Sequence, residues 1–438
     1  MKVAFTTLGC KVNQYDTEAM LELFVKAGYE VAAFDEPADV YVINTCTVTA
    51  QGDRKSRQMV RRAKRINPKS LVVVAGCYAQ TAPQEVMAVD GVDLVLGTEN
   101  RGRVVEWVEE ALRERTPMSR VRAFERGEAF EDLSIASHEG FSRAVLKIQE
   151  GCENYCTYCI IPFARGPVRS RPIPSIREEA RRLAEAGYRE VVLTGIHLTS
   201  YGRDTGGTLM DAIRAVHDVE GLQRIRLGSL EPLMISEDFV NSLKELPKVC
   251  PHFHLSMQSG SAAVLKRMNR RYTPEEYAGA AELLRAFDPL VALSTDVLTG
   301  FPMESEAEFD ETCAFVERMA FSRIHVFPFS ARQGTAAAKM KGQLDKKTKE
   351  ARAAKLIRLG ECLEREYAGK LLGTRQTVVL EEDLGNDRFS GCTPQYVKTE
   401  VQLAGGRSGQ LLDVLITGAA GAVLEGTPLT KIAGAAKI

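Results

Sequence analysis

A chain of 438 residues, 45% hydrophobic and 26% charged, has core enough for two to four domains and excludes a small scaffold in need of staples. Its formal net charge of −1 excludes a polyanion partner recognised by bulk charge, so local clusters must carry any such interaction. No apolar run approaches about 18 residues, and the opening Met1-Lys-Val-Ala-Phe-Thr-Thr-Leu-Gly-Cys10 reads as a strand without a signal region. No membrane association and a cytoplasmic location are expected, where ten cysteines suit metal binding, catalysis or buried thiols better than a disulfide framework.

Residues 1–115 alternate apolar runs at 2–6, 40–44, 71–75 and 92–96 with amphipathic stretches such as 16–27, closed by Gly28. The pattern predicts an open parallel α/β sheet with helices on its faces. Cys10, Cys46 and Cys77 each follow one of the first three strands. In such a sheet the carboxyl ends of the strands border one crevice, so the three thiols are expected to converge on a three-ligand cluster. Three buried thiols at strand ends are the alternative.

Residues 116–142 are charged, contain Pro117 and read as a linker or crossing segment. From 143 the alternation resumes, with strands at 144–148, 190–194, 224–227, 253–255, 291–298 and 323–327. Helices are expected at 175–186, 209–219, 237–246, 274–287 and 304–319. Six β/α units predict a partial barrel, in which working residues sit at the carboxyl ends of the strands. A basic helix over 345–367 follows, then short β-type runs at 376–380, 396–403 and 411–417, which predict a small all-β module.

After the first barrel strand comes Gly151-Cys-Glu-Asn-Tyr-Cys-Thr-Tyr-Cys159, a CxxxCxxC loop with Tyr158 before its last cysteine. Three thiolates on a four-iron cubane leave one iron open for substrate or cofactor. A structural zinc site is the alternative, but it wants a fourth ligand, and no Cys or His occurs in the ten residues after Cys159. Cys250, Cys313, Cys362 and Cys392 have no partner at ligand spacing and read as core or surface thiols.

The CxxxCxxC loop resembles the signature of the radical S-adenosylmethionine (SAM) superfamily. Its continuation, Ile160-Ile-Pro162 and Arg165-Gly-Pro-Val-Arg-Ser-Arg171, resembles the methylthiotransferase branch, as do Leu8-Gly-Cys-Lys-Val-Asn-Gln-Tyr-Asp16, Asn44-Thr-Cys-Thr-Val48 and Ala75-Gly-Cys-Tyr78. The resemblance implies four segments: 1–115 as the methylthiotransferase domain with an auxiliary iron-sulfur cluster, 116–142 as linker, 143–370 as radical SAM core, and 371–438 as a module similar to the nucleic-acid-binding TRAM domain. It implies two 4Fe-4S clusters, one on Cys152, Cys156 and Cys159 that binds SAM and yields a 5′-deoxyadenosyl radical, the other on Cys10, Cys46 and Cys77 that carries the transferred sulfur.

The same resemblance places SAM contacts at Gly195 in Thr194-Gly-Ile-His197, at Ser256 and Gln258, and at Asp296 and Gly300 in Asp296-Val-Leu-Thr-Gly-Phe-Pro302, while Glu231, by its place after the third strand, reads as a ligand carboxylate. Plain turn roles for the glycines, and an exposed turn acid at Glu231, are the alternatives. Arg165, Arg169 and Arg171 form a basic hook whose planar forks suit SAM carboxylate or substrate; surface solvation is its alternative. Met303-Glu304 stands where the family commonly has glycine before the acid, which puts any contact needing glycine in doubt.

Residues 54–65 carry seven positive side chains and no acid, and 339–358 carry eight against two acids, runs that suit phosphate contacts on RNA or plain solvated faces. Residues 371–438 hold six Lys/Arg against seven Asp/Glu, so the TRAM-like module is not basic by count. The motif at 8–16 resembles the tRNA N6-threonylcarbamoyladenosine enzyme, implying methylthio transfer to C2 of that nucleoside in the tRNA anticodon stem-loop. The implied partners are a reductant protein of flavodoxin or ferredoxin type and a sulfur donor. The alternatives are methylthiolation of isopentenyladenosine or of a ribosomal-protein aspartate, and a non-catalytic iron-sulfur protein that binds RNA or transfers electrons.

Overall fold

Val40–Thr45 and Leu71–Gly76 are buried along their whole length, as strands covered by helices on both faces must be. They form the centre of a six-stranded, all-parallel sheet in the computed structural model, which describes residues 1–47, 50–135 and 142–429, side chains 50 and 51 excepted. Val48 of the second cysteine motif, part of the 116–142 segment and the last residues of the C-terminal module lie outside the described residues. The strand order is Glu30–Ala32, Lys2–Thr7, Val40–Thr45, Leu71–Gly76, Leu94–Val95, Met118–Ser119. One face packs on Met20, Phe24, Trp107 and Val108, the other on Val60, Ala63, Tyr78 and Val86. Glu30–Ala32 and Met118–Ser119 escape sequence reading because each is too short for a period to register. Met118–Ser119 pairs with Leu94–Val95, so the expected linker begins by extending the N-terminal sheet.

The second unit has six parallel strands, Ala144–Glu150, Glu190–Gly195, Arg224–Leu227, His252–His254, Ala292–Thr299 and Arg323–Pro328. The ladder thins between the third and fourth, where only isolated pairs such as Leu230 with Leu255 join them. Helices Ile173–Glu185, Leu209–His217, Glu237–Lys244, Pro274–Phe287 and Glu306–Met319 surround the strands. The last of these starts later than its apolar period suggests because Ser305 and Glu308 form a reciprocal capping box.

Helix Lys346–Lys370 packs on strand Arg323–Pro328 and leads to a closed five-stranded barrel ordered Arg375–Gly385, Arg388–Cys392, Lys398–Gln402, Val423–Pro428, Leu411–Ala420. Arg388–Cys392 and Val423–Pro428 are additions to the expected strands; Ser, Gly and Glu interrupt their β-forming residues. The module is moored to the larger barrel. Arg226 donates to the carbonyls of Pro394 (2.9 Å) and Thr393 (3.3 Å), and Tyr396 lies under the guanidinium groups of Arg226 (4.5 Å) and Arg143 (4.8 Å). Among the described residues no helix is long and apolar enough to cross a membrane.

Candidate active site

The first cysteine group is assembled by turns that only glycine fits. Gly9, at φ +116°, and Gly76, at φ +92°, immediately precede Cys10 and Cys77. A Cβ on Gly9 would lie 2.8 Å from Cys46 Cβ and 3.1 Å from its Sγ, and one on Gly76 would lie 2.6 Å from the Thr45 carbonyl. Cys10 caps helix Lys11–Lys26, Cys46 follows strand Val40–Thr45, and Cys77 opens helix Cys77–Thr81. The structure brings them together: burial pushes the Cys77 thiol up to about 11 against the pull of Arg165, and Cys46 and Cys10 add like charge. Asn13 stitches the crevice, donating to the carbonyls of Leu8 (2.7 Å) and Thr45 (2.9 Å) and accepting from Arg165.

Arg165 is fully buried. Its Nε donates to Cys77 Sγ at 3.2 Å, and its Nη1 reaches Asp16 at 2.7 Å and Glu150 at 3.1 Å. Arg101 pairs with Asp16 at 2.7 Å, and Lys147 does the same at 2.7 Å while also meeting Glu150. Three buried cations thus face two buried carboxylates, with Glu131 joining Arg101 from the rim at 3.0 Å. Arg165 alone of the three extends the network to the sulfur of Cys77. Asp16 and Arg101 belong to the N-terminal unit and the other three to the barrel, so this network also joins the two.

The second group lies on the loop after strand Ala144–Glu150. Gly151, at φ +76°, allows the chain to pass Pro167 so closely that a Cβ would lie 1.7 Å from its carbonyl oxygen. Cys152 N donates to Gly166 O at 3.1 Å, and Thr157 N donates to Met268 O at 3.0 Å. Arg270 Nη1 donates to Cys156 Sγ at 3.3 Å while its Nη2 pairs with Glu231 at 3.0 Å. Glu231 also accepts from Asn154 at 2.9 Å and lies 3.3 Å from His197 Nε2. These donors outweigh its burial and hold its carboxyl down at about 2. Burial raises Cys152 to about 11 and Cys159 to about 12, and metal coordination would remove those protons outright.

Each cysteine triad therefore meets one buried arginine directed at one sulfur. A cluster with thiolate ligands is anionic, and such donors suit it. Among the described residues no three His, Cys, Asp or Glu side chains close on a single-ion site; a cubane takes its ligands at separate corners.

The expected cofactor contacts divide. Glu231 and Gly195 adjoin the second triad: Cys152 lies within the field of Glu231, and a Cβ on Gly195 would lie 2.9 Å from Gln149 Oε1, which accepts from His197 N at 2.7 Å. Ser256 presents its carbonyl to Tyr272 OH at 2.5 Å. Gln258 adopts φ +67° and bridges Val297. Asp296 lies 3.4 Å from His254 Nε2. Tyr158 is half-buried and packs with the cluster containing Phe301 and Phe329.

At two of the expected positions the structure shows other contacts. The guanidinium of Arg169 is held by Glu99 and Glu128, donates to the Arg165 carbonyl at 2.9 Å and lies over Phe124. Arg171 is likewise bound to Glu179 at 2.5 Å and Asp132 at 2.7 Å, so the basic hook is a set of buried ion pairs. Gly300, at φ +70°, serves packing; a Cβ there would lie 2.4 Å from Lys349 Cγ of the long helix. Met303 occupies φ +64°, the conformation that favours the glycine expected there, and Glu304 still accepts from Gly300 N at 2.7 Å and Arg352 at 2.7 Å.

Sequence reading missed Asn13, Asp16, Asn154 and Arg270. Lys147 was the available signal, a charged residue inside a strand buried along its whole length. Of the basic runs, Arg54, Lys55, Arg61, Arg62 and Arg65 are exposed, whereas Arg57 donates to Tyr78 OH (2.9 Å), Lys64 pairs with Asp93 (2.8 Å) and Arg352 pairs with Glu304.

Residues 2–97 match the uncharacterized protein family UPF0004 and residues 146–316 match the radical SAM superfamily. The chain is 45% identical to the threonylcarbamoyladenosine tRNA methylthiotransferase MtaB of Bacillus subtilis, over 90% of this chain and 89% of that one. The protein of the same name from Aquifex aeolicus is 41% identical, over 87% and 94%. The tRNA-2-methylthio-N(6)-dimethylallyladenosine synthase of Akkermansia muciniphila is 34% identical, over 98% of each chain. In fold the chain is similar to the radical SAM methyltransferase TsrM of Kitasatospora setae, with a TM-score of 0.59 at 15% identity, over 89% of this chain and 77% of that one. By sequence along nearly its whole length, this chain belongs to the radical SAM methylthiotransferase family of tRNA-modifying enzymes.

Proposed function

We propose that the enzyme transfers a methylthio group to C2 of N6-threonylcarbamoyladenosine beside the tRNA anticodon, with Cys152, Cys156 and Cys159 holding one 4Fe-4S cluster and Cys10, Cys46 and Cys77 a second. When bound, the clusters and SAM supply one-electron cleavage of a carbon-sulfur bond and the sulfur to be transferred. The chain's own residues hold and neutralise. Arg270 and Arg165 each direct a hydrogen bond at a ligand sulfur, favouring the anionic state. Gly9 and Gly151 permit the close approaches of Cys46 and Pro167 that any Cβ would block. Glu231, fixed by Asn154, His197 and Arg270, is an ionised acceptor suited to the SAM amino group.

The observation that carries this reading is that the Ile161–Arg165 helix, directly after the second triad, places Arg165 on Cys77 of the first. One short segment thus links both triads. In this reading residues 1–115, 143–370 and 371–438 act as sulfur-delivering, radical-generating and RNA-contacting parts, with 116–142 between the first two. The exposed face from Arg54 to Arg65 offers phosphate contacts. A flavodoxin-type or ferredoxin-type reductant and a sulfur donor complete a cytoplasmic system.

The test is anaerobic reconstitution followed by reaction with SAM, reductant and tRNA carrying either N6-threonylcarbamoyladenosine or isopentenyladenosine, read by nucleoside mass spectrometry. About eight irons per chain and methylthio product on the first tRNA alone are expected. Product on the isopentenyl substrate alone would transfer the assignment to the activity for which the Akkermansia relative is named. Undiminished product from Cys10→Ala would refute the second cluster's role.

A further inference from the structure

A cavity of about 830 Å³ opens between the start of helix Ala50–Ile66, the segment from Tyr78 to Glu85, Ile160 and Phe163, and the turn from Ala331 to Gly334. Thr47 on its wall follows Cys46, and Ile160 follows Cys159, so the cavity lies beside both triads. Phe163 on its rim is exposed and meets Tyr155 edge to face at 6.1 Å.

Two charged residues from different units meet there. Arg332 Nη2 donates to Asp53 Oδ2 at 2.6 Å and to Thr47 Oγ1. Their side chains are only 12% and 14% exposed. The pair is unfinished: Asp53 Oδ1 and Arg332 Nε are buried without a partner. A guanidinium has five N–H donors, and among the described residues the side-chain bonds of Arg332 are the two from Nη2. The couple therefore retains both a donor fork and an acceptor, bordering a cavity that Gln80, Gln84 and Glu85 make polar.

We propose that this cavity receives the N6 substituent of the target adenosine, with Arg332 donating to a carboxylate of the substituent and Asp53 Oδ1 accepting from its N–H or O–H groups. The inference rests on the function proposed above and adds its selectivity. A threonylcarbamoyl group presents a carboxylate, a hydroxyl and urea N–H groups, which complement this pair. A hydrocarbon substituent would cover the same groups and satisfy none, the situation in which a polar site rejects an analogue most strongly. The aromatic pair at the rim offers a stacking surface for an unstacked loop base.

The experiment uses the full-length reconstituted protein and three labelled anticodon stem-loops that differ only at the target, with adenosine, N6-threonylcarbamoyladenosine or isopentenyladenosine. Affinities are read by fluorescence anisotropy at one fixed salt concentration, because phosphate contacts are salt-dependent. The parent is expected to bind the threonylcarbamoyl loop about 10-fold or more tighter than the other two. Arg332→Gln and Asp53→Leu should each bring the three loops to parity. Arg332→Lys and Asp53→Asn should retain part of the preference, with iron content and circular dichroism matching the parent. Variants that keep the parent's iron content and its full preference would overturn the proposal, as would a parent that binds the isopentenyl loop equally well. Failure of the functional reading is separate: it appears as absent methylthiolation of threonylcarbamoyl tRNA by the parent, whatever the binding order.

Discussion

Replacing Arg165 by Met tests whether the buried charge network holds the two catalytic units together. Arg165 is fully buried and bonded to Asp16, Glu150, Asn13 and Cys77. Breaking a buried ion pair by removing one partner costs about 3–5 kcal/mol, because a charge is left without compensation. Here Asp16 keeps Arg101 and Lys147 at 2.7 Å each, and Glu150 keeps Lys147, so the lower end, about 3 kcal/mol, is expected. With a urea slope near the upper end of about 1–3 kcal/mol/M, the midpoint should fall by about 1 M. Trp107, the chain's single tryptophan, is buried in the N-terminal sheet packing and reports that unit by fluorescence in the metal-free protein. Adding Asp16→Asn should cost less than it does alone, since the two residues share one interaction. An unchanged midpoint for Arg165→Met, or strictly additive effects in the double variant, would refute the reasoning.

Further outcomes follow from single contacts. Gly151→Ala should halve the iron bound after reconstitution, because its Cβ would collide with Pro167 O at 1.7 Å; iron and sulfide analysis checks this. Met303→Gly should stabilise by about 0.5–1 kcal/mol, relieving the left-handed conformation at φ +64° at some cost in chain entropy, as a denaturation midpoint would show. Glu231 has its carboxyl lowered to about 2, so its stabilisation is complete above the ordinary carboxylate range and fades as pH falls toward 2. The stability gap between parent and Glu231→Gln should therefore be wide at pH 6 and shrink in acid; a gap that widens in acid would contradict the assignment. Tyr396→Ala removes the ring beneath Arg226 and Arg143 and should speed limited proteolysis between residues 370 and 398, followed by mass spectrometry.

The parallel α/β texture and the six barrel strands were legible because each rests on local signals: β-branched runs and apolar period. Helix starts at Ser305 and Thr273 were set by capping boxes, also local. Strands Glu30–Ala32 and Arg388–Cys392 were not legible, since the first is too short for a period to register and Ser390 and Gly391 interrupt the β-forming residues of the second.

The sequence by itself determined which residues could ligate metal and which strands would carry them, since ligand spacing and hydrophobic period are properties of neighbours along the chain. Only the tertiary structure decided where the arginines go. Arg165, Arg169 and Arg171 read alike as a basic run, yet Arg165 alone reaches a cysteine sulfur while the others are consumed by Glu99, Glu128 and Glu179. A charge's role depends on the dielectric and the partners around it, and packing from distant segments supplies both.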